Sequence, residues 1–268
     1  MYIKLVLVII AVILFWFLLR PPVETPAPSP IPHITYPKIQ SGIPMKHIPD
    51  VVKYINDKNE KVKSISCTSM QITVTNKNGR CGATGQVYYI KDKNFRLVID
   101  SFCGKTLDIG SNQDIFWFWI NGYEPDAIFY ARHGHHTRLK SVFMPQWFIE
   151  AFGINKIDET SAFTENGNIL YASKNVISTA GTKLTYTAVI DKQDKVIKGY
   201  YLFDKSNNIL LQTEIEYIND LPSEVNVLWT ENNVYINMNL SNVEVNLPVD
   251  SSNFVLPTYK RTIDMENY

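Results

Sequence analysis

From Ser64 almost to its end the chain alternates apolar and polar residues. Met70, Ile72 and Val74 alternate with Gln71, Thr73 and Thr75, and Val87, Tyr89 and the stretch from Phe95 onward supply the next strands. The later pattern is regular. Leu184 to Ile190 turns through Asp191-Lys192-Gln193-Asp194 into Val196 to Phe203, and Asp204-Lys205-Ser206-Asn207 leads into Ile209 to Ile218. Asn219-Asp220-Leu221-Pro222 then leads into Val225 to Trp229, and Glu231-Asn232-Asn233 into Val234 to Leu240. Period-two runs of about eight residues joined by short polar turns predict an antiparallel meander. Ile209, Leu211, Ile215 and Tyr217 share one face, with Gln212, Glu214 and Glu216 opposite; Val234, Ile236, Met238 and Leu240 likewise oppose Asn237 and Asn239. One wet face and one dry face predict a mainly β (α+β) domain built on a single curved sheet.

Two segments break the alternation. Pro49 opens a helix to Val62 with Val51, Val52, Ile55 and Val62 on one side, and Pro145 to Phe152 is a second. The second has proline at the first helical position and Gly153 just past its end, as helix termini favour. The densest apolar chemistry lies between them, in Phe116-Trp117-Phe118-Trp119, Ile128-Phe129-Tyr130 and Pro145-Gln146-Trp147-Phe148. Alternation sends Trp117 and Trp119 to one face and Phe116 and Phe118 to the other, so one aromatic face must meet a helix or a ligand. The expected apolar interior is lined by Trp117, Trp119, Phe129, Phe143, Trp147 and Phe148, with Leu211, Ile215 and Val227 from the far side of the sheet.

Leu5 to Leu19 is an unbroken apolar run between Lys4 and Arg20. About 15 residues rise only ~22 Å as a helix against a ~30 Å hydrocarbon core, which snorkelling by the flanking cations can make up. Residues 1–20 thus read as a transmembrane anchor, with a cleaved signal peptide as the alternative; Arg20, Pro21-Pro22 and the lack of an A-x-A site favour retention. Nine of the chain's 14 prolines fall from Pro21 to Pro49. Residues 21–48 therefore read as an extended stalk and 49–268 as the folded domain. That places a single-pass protein in the cell envelope with its domain outside the cytoplasm, or a secreted or periplasmic one after cleavage.

Lys+Arg and Asp+Glu are both 26, so no basic excess favours a nucleic-acid partner. Cys67, Cys81 and Cys103 permit at most one disulfide; Cys67 and Cys81 flank a hairpin at Asn76-Lys77-Asn78-Gly79 and could face each other, or all three could be free thiols. Among His133, His135 and His136 only the first and second converge on a strand, so a solvated turn is preferred to a metal site. Asp108, Asp114, Glu124 and Asp126 sit in turn-like settings, where capping explains them more simply than acid–base catalysis. Gly110-Ser111-Asn112 lacks the nucleophile elbow. These features predict no cofactor and no enzyme.

The strings LDIGSNQDIFWFW (Leu107 to Trp119), EPDAIFYARH (Glu124 to His133) and PQWFIEAFG (Pro145 to Gly153) resemble those of an exported LolA-like group of envelope proteins, within the lipoprotein carrier and receptor (LolA/LolB-like) superfamily. The likeness in element order covers most of Pro49 to Asp264. It implies an unclosed half-barrel with two or three covering helices around an apolar cavity. It also implies non-catalytic binding of an acyl chain or lipoprotein lipid in lipoprotein trafficking, with an envelope protein as partner. Related carriers keep a basic residue and a proline before a phenylalanine at one strand entry. Lys91-Asp92-Lys93-Asn94-Phe95-Arg96 lacks the proline but keeps the rest, which makes Lys91 and Arg96 the implied polar contacts near the mouth. A half-barrel filled by its own side chains, serving as an interaction scaffold, is the alternative.

Overall fold

A computed structural model of the chain describes residues 43–76, 79–91, 94–101, 104–121, 125–133, 152–177, 182–230 and 233–267. The apolar run 5–19, most of the stalk, Phe143, and all of the expected Pro145 to Phe152 helix but its last residue, Trp147 and Phe148 included, lie outside these residues. Among the described residues no helix is long and apolar enough to cross a membrane.

Among the described residues the strands form one sheet of fifteen. Its first meander comprises β2 (Ser64–Asn76), β3 (Gly79–Ile90), β4 (Asn94–Ser101), β5 (Gly104–Ser111), β6 (Ile115–Ile120) and β7 (Ile128–Arg132). The second comprises β8 (Ala162–Asn166), β9 (Ile169–Ile177), β10 (Lys183–Asp191), β11 (Val196–Phe203), β12 (Ile209–Ile218), β13 (Leu221–Trp229) and β14 (Val234–Val245). The last strand of the second pairs antiparallel with the first strand of the first, from Tyr235 opposite Thr75 to Val245 opposite Ile65. The sheet does not close. Its edges are β1 (Ile43–Pro44), paired with β8, and β15 (Thr262–Asp264), paired parallel with β7. Ile43 and Pro44, which the sequence reading places in the stalk, thus belong to the sheet, and Met45 and Ile48 pack on the core.

The turns follow the residue chemistry. Asn207, Asn219, Asp220 and Asn233 take positive φ, a conformation Asn and Asp tolerate better than other side chains. Asn219-Asp220 alone makes the turn between β12 and β13, so Leu221 and Pro222 already belong to the strand.

Helix α1 (Asp50–Glu60) buries Val52 and Ile55 on the inner face. Its buried Asn56 is bonded both ways to the backbone of Ile157: Nδ2 donates to the carbonyl at 3.0 Å, and Oδ1 accepts from the N–H at 2.7 Å. Asn59 donates to the carbonyls of Gly153 and Asn155. Lys58 meets Asp220 at 2.7 Å, so α1 sits over the end of the sheet where β12 turns into β13.

The inner face carries the main core, which runs from Val52 and Ile55 through Phe95, Phe118 and Phe129 to Ile190, Ile215 and Val225. The outer face is not uniformly wet. Tyr171, Val189, Tyr201 and Phe203 pack together there, and Gln212, read from alternation as a solvent residue, is only 4 % exposed and bonds the Tyr201 hydroxyl.

Candidate functional site

Cross-strand register lines the inner face with apolar rows. One row is Ile215, Val225, Met238, Ile72 and Ala83 across β12, β13, β14, β2 and β3; the first four side chains are buried. The next row, two residues nearer the end away from α1, is Thr213, Val227, Ile236, Val74 and Cys81. There Val227, Ile236 and Cys81 are half-buried, as are Leu211 and Trp229 one step further. The inner face is therefore plugged by α1 at one end and shows a half-exposed apolar floor at the other.

The aromatic block divides between the two faces. Phe118 stacks on Phe129 at 5.2 Å between ring centres in the main core. Trp117 and Trp119 point the other way and pack with Ile128, Tyr130, Leu256 and Tyr259, so they do not line one interior with Phe129, Ile215 and Val227 as the sequence reading expects. The cover on that outer face is the C-terminal segment: Tyr259 stacks on Trp119 at 5.1 Å, and the Trp119 indole donates to Asp126 at 3.0 Å. Gly110 lies opposite Trp117 in the register, and a methyl group at that position would overlap the indole. The glycine is what lets the ring lie flat on β5.

Lys91 and Arg96 are both away from the open end. Lys91 donates to Glu60 at the C-terminus of α1, on the plugged end, where Lys156 also pairs with Glu60. These two lysines hold the Glu60 carboxyl down at about 2. Arg96 is on the outer face, where Nε and Nη2 grip the two oxygens of Asp108 at 3.1 and 2.8 Å. Asp108 is fully buried in mid-strand and also meets Lys105 at 3.1 Å. It is thus a structural counter-ion rather than a turn residue, and the signal missed was its place between Leu107 and Ile109 in an unbroken strand pattern.

Chemistry at the other candidates is quiet. His133 Nε2 lies 2.8 Å from the Asn112 carbonyl and 3.3 Å from Ser111 Oγ. A nitrogen donating to a carbonyl cannot also accept the serine proton, so the pair is no nucleophile–base dyad. Cys67 and Cys81 are free thiols: Cys81 lies opposite Val74, while Cys67 lies opposite Val87. Burial pushes the Cys81 thiol up to about 11. No cluster of three metal-ligating side chains occurs among the described residues, and His135, His136, Glu124 and Cys103 lie outside them.

No family model matches the chain, and no curated protein matches it. Its neighbours among solved structures include DUF1329 and LolA superfamily proteins. The DUF1329 family protein from Desulfovibrio piger is 10 % identical with a TM-score of 0.48, covering 77 % of this chain and 95 % of that one. A putative outer membrane lipoprotein-sorting protein domain from Vibrio parahaemolyticus is 9 % identical with a TM-score of 0.47, over 76 % and 94 %. A LolA superfamily protein from Nitrosomonas europaea is 10 % identical with a TM-score of 0.49, over 76 % and 97 %.

Proposed function

We propose that the chain binds an acyl chain or lipoprotein lipid, without catalysis, on the open end of the inner face. The observation that carries the reading is the in-register floor of Val227, Ile236 and Cys81, extended by Leu211 and Trp229, which leaves apolar surface half-exposed where α1 does not reach. Burying each methylene contributes about 0.8 kcal/mol, so a dozen carbons gain on the order of 10 kcal/mol before ordering costs. Ile215 lies in the buried row next to this floor, and Phe129 belongs to the same buried core, further across the sheet. The apolar run 5–19 would tether the protein in the envelope, with the domain outside the cytoplasm and an envelope partner supplying or receiving the lipid.

A second reading rests on size. Two cavities lined by described residues have volumes of about 20 and 40 Å³, room for a water or two and far below the ~300 Å³ of a typical ligand pocket. Neither lies at the floor, and the second reading is a half-barrel filled by its own side chains, acting as a scaffold. A fluorescent fatty-acid probe titrated into the full chain separates the two. Saturable uptake by the wild type that Val227→Glu lowers at least tenfold, with cooperative unfolding retained, supports the lipid reading. A wild type that takes up no probe, or a variant that binds equally well, supports the scaffold.

A further inference from the structure

The C-terminal segment joins the sheet as no other described strand does. All other neighbouring strands pair antiparallel, whereas β15 returns to lie parallel to β7, with Thr262, Ile263 and Asp264 opposite Ile128, Phe129 and Tyr130. On the way it crosses the outer face as a strap. Asp250 accepts from the N–H of Ser252 to start a short 3-10 helix, Ser251–Phe254. Arg96 Nη1 then donates to the Asn253 carbonyl at 3.2 Å, and Asn112 Nδ2 to the Phe254 carbonyl at 3.1 Å. The Ile128 N–H donates to the Arg261 carbonyl, and the Met265 N–H to that of Tyr130, both at 2.9 Å. The strap's main chain is thus held by side-chain donors and an open strand edge, while Phe254, Ile263 and Met265 are buried and Tyr259 stacks on Trp119. Main-chain bonds for affinity and side-chain pockets for selection are the division of labour of peptide recognition by strand addition.

We propose that the β7 edge and the Trp117–Trp119 patch form a peptide-binding site, filled here by the chain's own strap, and that its ligand in trans is the strap of a second copy. The strap is the segment shown to fit, through the spacing of Phe254, Tyr259, Ile263 and Met265. Its link to β14 makes the exchange feasible: Asn246 and Leu247 stay tied to Lys61, Lys63 and Ser64, and beyond them Pro248 and Asp250 are exposed and outside any strand, so the same contacts can re-form between two copies with only the chain after Leu247 changing direction.

The test uses the full chain in detergent micelles with a fluorescein-labelled peptide of residues 250–267, read by anisotropy. A chain carrying Ile263→Asp and Met265→Asp, which loosens its own strap, should bind the peptide at least tenfold more tightly than the wild type, because apparent affinity scales with the fraction of open site. A peptide carrying Ile263→Asp should not bind, and mixed wild-type copies bearing two dyes should form a strand-exchanged dimer at high concentration. If the doubly substituted chain does not fold, the wild type with a protease site inserted after Leu247 replaces it; once nicked, its retained strap should exchange for labelled peptide. A folded, opened chain that takes up no peptide, or takes up the Ile263→Asp peptide equally, overturns the site. Peptide binding without mixed dimers overturns the second-copy ligand.

Discussion

Gly110→Ala puts the packing of the outer aromatic patch to a quantitative test. In an ordinary strand interior this change stabilises by about 0.4–1 kcal/mol, because alanine has less freedom to lose on folding. Here the added methyl overlaps the Trp117 indole, which is fully buried and boxed in by Ile115, Ile128, Tyr130, Leu256 and Tyr259. Overpacking a closed site costs typically ~1–3 kcal/mol, which exceeds the entropic gain. The expected net loss is about 1–2 kcal/mol, a fall in Tm of roughly 2–8 °C for a domain of this size. Thermal unfolding followed by circular dichroism measures it, and a double-mutant cycle with Trp117→Leu isolates the cause. With the indole removed the alanine should become neutral or favourable, giving a coupling of about 1 kcal/mol or more. A Gly110→Ala protein that melts at or above the wild-type temperature, or two substitutions that simply add, would refute the close approach.

Asn56→Leu should lower stability by about 2–4 kcal/mol, since it strips both the N–H and the carbonyl of Ile157 of their partner, at ~1–3 kcal/mol per buried orphan; an unchanged urea midpoint would count against the bond pair. Asp108→Asn leaves Arg96 facing a neutral amide in a site where its side chain is 15 % exposed, and breaking a buried pair costs ~3–5 kcal/mol, so faster amide exchange in β4 and β5 is expected together with a lower Tm. Glu60 is an acid whose folded value, about 2, lies below its ordinary 4.5. Its contribution is therefore complete above 4.5 and fades as pH falls from there through 2. Glu60→Gln should flatten that part of the stability–pH curve, and an unaltered slope would show that the lysines around α1 contribute nothing.

The meander was legible because its strands have one polar face and its turns carry Asn and Asp. Val196–Phe203 and Ile209–Ile218 fall where alternation puts them. The short edges were not legible. Ala162–Asn166 offers one buried side chain, Phe163, and Thr262–Asp264 owes its place to parallel pairing with a strand 134 residues earlier, which no local turn announces. At the candidate site, alternation assigned Trp117 and Trp119 to one face and Phe118 to the other, as observed. What alternation alone could not say is which face is the inside. That was decided by the strap, whose Leu256 and Tyr259 cover the tryptophans and leave the phenylalanines to the core. Gln212 escaped for a related reason: in Tyr200-Tyr201-Leu202-Phe203 both faces are apolar, so a neighbouring strand has no wet side to turn outward.

The placement of the two edge strands also decides how the domain bears load. Tension applied between the chain on either side of the described sheet enters at β1 on one margin and β15 on the other, and must pass across every intervening strand along the hydrogen-bonding direction. Loaded that way, a sheet yields like a zip, a few bonds at a time from its margins, and not like a lap joint in which all bonds of a strand share the shear. The margin at β1 is the weak one, with two residues paired and one of them a proline that lacks a donor. The seam of β2 against β3, the longest paired stretch and close to the centre, would be the last to part. A domain pulled at both ends would therefore lose its rims first and keep its apolar floor until late.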